Sequence, residues 1–68
     1  MKKVIIFGGT GFIGTAMAEH LSKNNFHPIV IGRNKKDARF EFFQWDGINE
    51  GAWAEQLNNA YAVVNLVG

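Results

Sequence analysis

Lys3-Val4-Ile5-Ile6-Phe7-Gly8-Gly9-Thr10-Gly11-Phe12-Ile13-Gly14 is the stretch that decides the reading of this chain. Its first five residues form a β-branched and aromatic run without polar alternation. The run ends abruptly in glycines, as a strand covered on both faces would. From Phe12 to Asn24 the apolar residues Ile13, Ala16, Met17 and Leu21 fall at helical spacing, and Glu19, Ser22 and Lys23 are placed to face water. The order is therefore strand, glycine turn, amphipathic helix, with nothing between them. Asn24-Asn25 can stop the helix, because Asn tolerates the left-handed conformation that helix ends often require, and Pro28 discourages continuation.

Working outward, Ile29-Val30-Ile31 reads as a second strand, with Pro28 at its start. Phe40 to Trp45 reads as a third, with partial period-two alternation. The polar connection from Gly32 to Arg39 is shorter than the roughly ten to twelve residues of an ordinary parallel crossover. The two strands are joined either by a tight irregular loop or as an antiparallel hairpin, and the parallel pairing is the one expected. Asp46-Gly47 is a turn signal, Ala52 to Leu57 supports a short helix, and Ala62 to Val67 is a further buried-looking strand ending at Gly68. This succession predicts an α/β fold, the amino-terminal half of a doubly wound, Rossmann-type parallel sheet with strand order 3-2-1-4. Residues 1–68 are expected to form the amino-terminal part of a dinucleotide-binding domain, incomplete as it stands. The fourth strand is apolar, and its outer edge and part of one face would lie bare. A longer parent protein is therefore expected, or self-association through that edge.

Gly9-x-Gly11-x-x-Gly14, directly after a strand and opening a helix, is the context a dinucleotide fingerprint requires. Gly9 serves the tight turn, Gly11 lets backbone approach a pyrophosphate, and Gly14 lets helix and strand pack closely. The helix opening at Phe12 offers unpaired N–H groups and the positive end of its dipole to a doubly negative diphosphate. A P-loop is excluded, because Thr15-Ala16 stands where Lys and then Ser or Thr are needed. An NAD-preferring site would place an acid about 20 residues past the glycines to hold the ribose 2′-hydroxyl. None occurs between Glu19 and Asp37, and Arg33, Lys35, Lys36 and Arg39 cluster there instead. The expected cofactor is thus NADP in preference to NAD, with Arg33 the foremost reader of the 2′-phosphate; the alternative is a solvated basic loop. Asp46 is either an acceptor for the adenine amino group or a turn former before Gly47. Leu66, Val67 and Gly68 end the fourth strand on the ligand side. The expected cofactor-binding set is Gly8, Gly9, Thr10, Gly11, Phe12, Ile13, Gly14, Arg33, Asn34, Lys36, Asp46, Leu66, Val67 and Gly68, with no catalytic residue and no metal ligand.

Composition narrows the alternatives. The chain has 68 residues, 47% of them hydrophobic and 19% charged, which suits a globular interior rather than a disordered segment. A net charge of +1 supplies no field to hold a nucleic-acid backbone or an anionic membrane. Without cysteine there is no disulfide framework, thiol nucleophile or Cys-ligated zinc, and a reducing cytoplasm fits. The first apolar run stops at Gly8, short of a signal h-region, and none approaches the roughly 18–20 residues that span a bilayer. His20 and His27 lack metal-site spacing. Tyr61 is followed four residues later by Asn65 rather than Lys, so it supplies no tyrosine–lysine acid/base pair. Phe40, Phe42, Phe43 and Trp45 read as a core strand rather than a base-stacking platform.

Through Gly8-Gly9-Thr10-Gly11-Phe12-Ile13-Gly14 and Asn65-Leu66-Val67-Gly68 the chain resembles the extended short-chain dehydrogenase/reductase superfamily. Gly32-Arg33-Asn34, the short step to the third strand and Trp45-Asp46-Gly47 resemble more narrowly its NAD(P)-dependent epimerase branch, described as nucleoside-diphosphate-sugar epimerases or cell-division-inhibitor-like proteins. The resemblance implies an NAD(P)-binding amino-terminal fold, a separate substrate region, and redox chemistry on a sugar nucleotide or a similar hydroxyl or carbonyl compound. It also implies a catalytic Ser or Thr and a Tyr-x-x-x-Lys well beyond the fourth strand. A small-molecule substrate is therefore expected only for a full-length protein. A non-enzymatic NADP-binding regulator on the same fold, or an inactive self-associated fragment, are the alternatives. Asn25 stands where the family commonly has Gly, and Val67 where Ala is frequent.

Overall fold

The computed structural model describes residues 2–8, 11–33, 39–45 and 51–66. Strand β1 (Lys2–Phe7) leads into helix α1 (Phe12–Lys23), strand β2 (Phe26–Gly32) and strand β3 (Glu41–Gln44). A 3₁₀ helix (Ala52–Leu57) and strand β4 (Ala62–Asn65) follow. The four strands form one sheet in the order β3-β2-β1-β4, parallel at every pairing. The short connection thus joins β2 to β3 in parallel, in register from Ile29↔Glu41 to Gly32↔Gln44.

Period-two alternation divides the core between the two faces. Val4, Ile6 and Val30 lie under α1 with Ala18, joined by Met17, Leu21, Phe42, Val64 and Leu66. Ile5, Ile29 and Ile31 face the other way, beneath Phe7, Phe43, Trp45 and Trp53. Ile5, Ile6, Ile29 and Ile31 are fully buried, each worth about 1.5–3 kcal/mol relative to an exposed side chain. β1 and β2 are therefore the pair that cannot be displaced, and they fix the turn at their carboxyl ends.

Several elements depart from the sequence expectation. The face of α1 against the sheet is Gly14, Met17, Ala18 and Leu21, whereas Ile13 is 68% exposed and Ala16 is exposed as well. These four positions follow an i, i+3, i+4, i+7 pattern, and the small side chains at 14 and 18 let the helix settle close to the strands. Met17 and Leu21 keep the places the sequence predicts, and the small residues Gly14 and Ala18 take those of Ile13 and Ala16. β2 begins at Phe26, so Pro28 lies inside the strand. The Ile31 carbonyl accepts from Gly8 on the β1 side and the Gly32 carbonyl accepts from Trp45 on the β3 side. By alternation Pro28 faces β3, one residue before the first β2–β3 pair, where no ladder donor is required. β3 begins at Glu41 rather than Phe40. The segment Ala52–Leu57 is 3₁₀, with Ala54 N–H donating to the Gly51 carbonyl at 3.0 Å and Asn58 N–H to Glu55 at 3.1 Å. Six residues are too few to sustain an α-helix unaided, and this piece is held by Trp53, whose ring packs on Phe7 and Trp45. β4 reads as buried from its composition, yet Val63 is 52% exposed, because β4 has a strand partner, β1, on one side only among the described residues.

Asn24 and Asn25 end α1 as the sequence suggests. Asn25 adopts φ 66°, and the Asn24 side chain donates to the His20 carbonyl at 2.7 Å. The turn is left-handed at a residue that tolerates it.

Candidate functional site: the carboxyl ends of the strands

Order 3-2-1-4 means that the chain leaves β1 toward β2 on one side and later returns to place β4 on the other. The crevice above the carboxyl ends of β1 and β4 is the topological switch point of the sheet, where open α/β sheets take their ligands. Three chain segments meet there. Gly8 leaves β1 at φ 76°, a conformation that a Cβ would strain, and donates its N–H to the Ile31 carbonyl at 2.8 Å. Leu66 leaves β4 and donates to the Phe7 carbonyl at 2.9 Å. Gly11 opens α1 as its N-cap, with its carbonyl accepting from Thr15 N–H at 3.0 Å.

Gly8, Gly11, Phe12, Ile13, Gly14 and Leu66 line a cavity of about 310 Å³, at the lower end of the size range of small-molecule sites. Three of these six residues are glycines, which leave room for a ligand to approach the backbone. Gly11 has φ −83° and ψ −176°, which any residue can adopt, and a Cβ built there would meet nothing within 4 Å. Neither strain nor packing accounts for a glycine at this position. Phe12, 93% exposed, and Ile13 stand at the rim instead of joining the core. No side chain caps the helix and no acid lies in its first turn. Within the helix's own first turn, no carboxylate compensates its first N–H groups and positive dipole end. A diphosphate fits this arrangement: a glycine cradle with room where a side chain would intrude, and donors at a helix amino terminus.

The remaining expected site residues are distributed unevenly. Arg33 is exposed one residue past the end of β2, and its guanidinium makes no ion pair among the described residues. Gly9, Thr10, Asn34, Lys35, Lys36, Asp46, Val67 and Gly68 lie outside the described residues. Arg39 does not join Arg33. It lies two residues before β3, near the amino ends of the strands, and bonds Glu19 of α1 at 3.5 Å. The β2–β3 register explains this: Glu41 pairs with Ile29, so the chain has returned to the far end of the sheet by residue 39. Glu19 also pairs with Lys23 at 3.2 Å. Hydrogen bonding and charge from Lys23, joined by Arg39, hold its carboxyl below the ordinary glutamate range.

The other polar and aromatic residues lie elsewhere. Trp45 packs on Phe7 with ring centroids 5.5 Å apart. Tyr61 sits at the amino end of β4, with Lys2 over its ring at 4.5 Å and Phe26 at 5.6 Å. His27 meets Glu41 at 2.8 Å, away from the crevice. Among the described residues no group of three or more His, Asp or Glu could hold a metal, and no helix is long and apolar enough to cross a membrane. Two features of the site escape the sequence reading. Gly8, which the sequence places in the binding set without a backbone role, takes a left-handed conformation that favours glycine, and the Gly-Gly doublet was the available signal. Gln44, whose side chain donates to the Arg33 carbonyl at 3.2 Å, carries no sequence signal at all.

Comparison with known proteins agrees with this geometry. An epimerase family protein of Staphylococcus haemolyticus is 30% identical over 71 residues, covering all of this chain and 23% of the relative. A second, from Staphylococcus epidermidis, is 25% identical over 68 residues with the same coverage. The solved structure of UDP-N-acetylglucosamine 4-epimerase from Bacillus cereus superposes with a TM-score of 0.74 at 28% identity, over 98% of this chain and 24% of that one. The chain thus spans about a quarter of the length of the proteins it matches. The profile of the NAD dependent epimerase/dehydratase family matches residues 4–68, and the chain belongs to that family.

Proposed function

We propose that these residues form the NADP(H)-binding part of an epimerase or reductase that acts on a sugar nucleotide or a similar hydroxyl or carbonyl compound. Family membership implies a nicotinamide dinucleotide; the choice of NADP and the substrate class go further. In this reading the diphosphate rests on Gly8, Gly9, Thr10, Gly11, Phe12, Ile13 and Gly14, with Leu66, Val67 and Gly68 beside it at the end of β4. Arg33, with Asn34 and Lys36, engages the ribose 2′-phosphate, and Asp46 the adenine amino group. The bound cofactor supplies hydride transfer at its nicotinamide ring, and the chain contributes binding and orientation. No residue of the 68 is assigned a proton-transfer role. The sugar-nucleotide substrate is carried over from the Bacillus cereus epimerase by likeness.

The observation that carries the proposal is the open space at Gly11, where neither backbone angle nor packing calls for glycine. The absence of an acid beyond Glu19 until Asp37, together with Arg33 at the end of β2, favours NADP. The test is titration of the chain with ADP-ribose and with 2′-phospho-ADP-ribose, both redox-inert and both carrying the diphosphate. The phosphorylated ligand is expected to bind more tightly, and Arg33→Asp to narrow or reverse the order. Equal affinities before and after the substitution refute the NADP assignment, and binding of neither ligand refutes the proposal as a whole.

A further inference from the structure

We infer that Gln44 is a specificity-positioning residue, which fixes the backbone from which Arg33 reaches the 2′-phosphate; this rests on the reading of Arg33 given above. Three consecutive carbonyls at the exit of β2 are bonded from different directions. Ile31 accepts from Gly8 N–H at 2.8 Å, Gly32 from Trp45 N–H at 2.9 Å, and Arg33 from Gln44 Nε2 at 3.2 Å. The first ties the strand end to the glycine turn, and the second is the last backbone bond from the β3 side among the described residues. The third prolongs the β2–β3 association one residue further, beyond the last paired residues Gly32↔Gln44, with a side chain in place of a main-chain donor.

That extra residue is the one whose position matters. Arg33 is exposed, and among the described residues no ion pair fixes where its guanidinium points. The backbone sets where that side chain starts relative to the diphosphate cradle, and so which positions the guanidinium can reach. Gly8 is bonded to Ile31, two residues upstream, so a fixed carbonyl at Arg33 sets the span from the cradle to the root of the Arg33 side chain. Planar, multi-donor recognition of a phosphate by arginine depends on such placement. A residue at 44 without an N–H donor removes this restraint on the Arg33 peptide. Gln44 touches no part of the ligand in this scheme and acts only through Arg33.

The experiment is a double-mutant cycle read by ligand binding, with far-UV circular dichroism confirming the fold of each variant. The chain, Arg33→Ala, Gln44→Met and the double variant are each titrated with 2′-phospho-ADP-ribose and with ADP-ribose. Met matches Gln in length and lacks the donor. Gln44→Met should lower affinity for the 2′-phosphorylated ligand about three- to tenfold, the range that loss of one net hydrogen bond spans, with ADP-ribose affinity shifting by less than about twofold. In the Arg33→Ala background the same substitution should change neither, which a purely structural role for Gln44 does not predict. If Arg33→Ala abolishes the preference and Gln44→Met leaves it intact, the inference about Gln44 is overturned while the NADP assignment stands. A Gln44→Met loss equal for both ligands also overturns it, as does a loss that persists without Arg33. If the unmodified chain shows no preference, or Arg33→Ala does not alter one, the NADP assignment fails and this inference fails with it.

Discussion

Gly11→Val separates a glycine required by the fold from one required by a ligand. The backbone at Gly11, φ −83° and ψ −176°, lies in the extended region where β-branched residues are comfortable. An added Cβ has nothing within 4 Å to strike. Losing glycine at a helix N-cap costs on the order of 1 kcal/mol, and reduced freedom of the unfolded chain returns about 0.4–1 kcal/mol. The net change in stability is therefore within about 1 kcal/mol, or about 4–8 °C in Tm for a domain this small. Binding responds differently. The valine side chain would occupy the space above the first helical N–H groups and displace the diphosphate from at least two charge-assisted hydrogen bonds. Such bonds contribute about 1.5–3 kcal/mol each, so affinity for ADP-ribose should fall at least a hundredfold or so. Thermal melting by circular dichroism and titration by the fluorescence of Trp45 and Trp53 measure the two effects separately. Unchanged affinity refutes the reasoning, and a melt lowered by well over about 10 °C shows that the fold itself needs this glycine.

Three further outcomes follow from the same geometry. Gly8→Ala, at φ 76°, should cost about 1–2 kcal/mol of stability, and a melting point equal to that of the unmodified chain contradicts the left-handed turn. Asn25, at φ 66°, should tolerate Gly with little change and lose about 1 kcal/mol on Asn25→Ala; equal melts for the two variants count against it. Glu19 titrates below the ordinary glutamate range because of Lys23 and then Arg39. Its contribution is therefore present above the ordinary glutamate pKa and is lost as the pH falls through the lowered value. Acid titrations of the unmodified chain and of Glu19→Gln should diverge at the high end of that window and converge below it; superimposable curves contradict the pairing.

The sequence carried the parts of this structure that depend on local patterning. Val4-Ile5-Ile6-Phe7, the glycine turn and the stop at Asn24-Asn25 are legible because each rests on a few neighbouring residues, and strand order 3-2-1-4 follows from their succession. The rotation of α1 was not legible. Hydrophobicity favoured Ile13 and Ala16, but the close approach of helix to sheet is decided by the small residues Gly14 and Ala18, a property of two surfaces together. Arg39 departs from the sequence pattern for a related reason. Its proximity to Arg33 in sequence is undone by the β2–β3 register, which carries it to the opposite end of the sheet and onto Glu19. Of the candidate site, the glycines were visible because their spacing has a steric meaning. Gln44 was not, because a side chain bonding a carbonyl eleven residues away leaves no pattern.

The central claim is that the turn between β1 and α1 receives a diphosphate on backbone N–H groups. The measurement that addresses it most directly is a two-dimensional amide NMR titration of the chain with ADP-ribose. The resonances of Gly11, Phe12, Ile13 and Gly14 should move together and saturate, with Leu66 following and those of Tyr61 and His27 at the other end of the sheet unmoved. Saturable shifts centred on Tyr61 and His27, with the Gly11–Gly14 amides unchanged, contradict it.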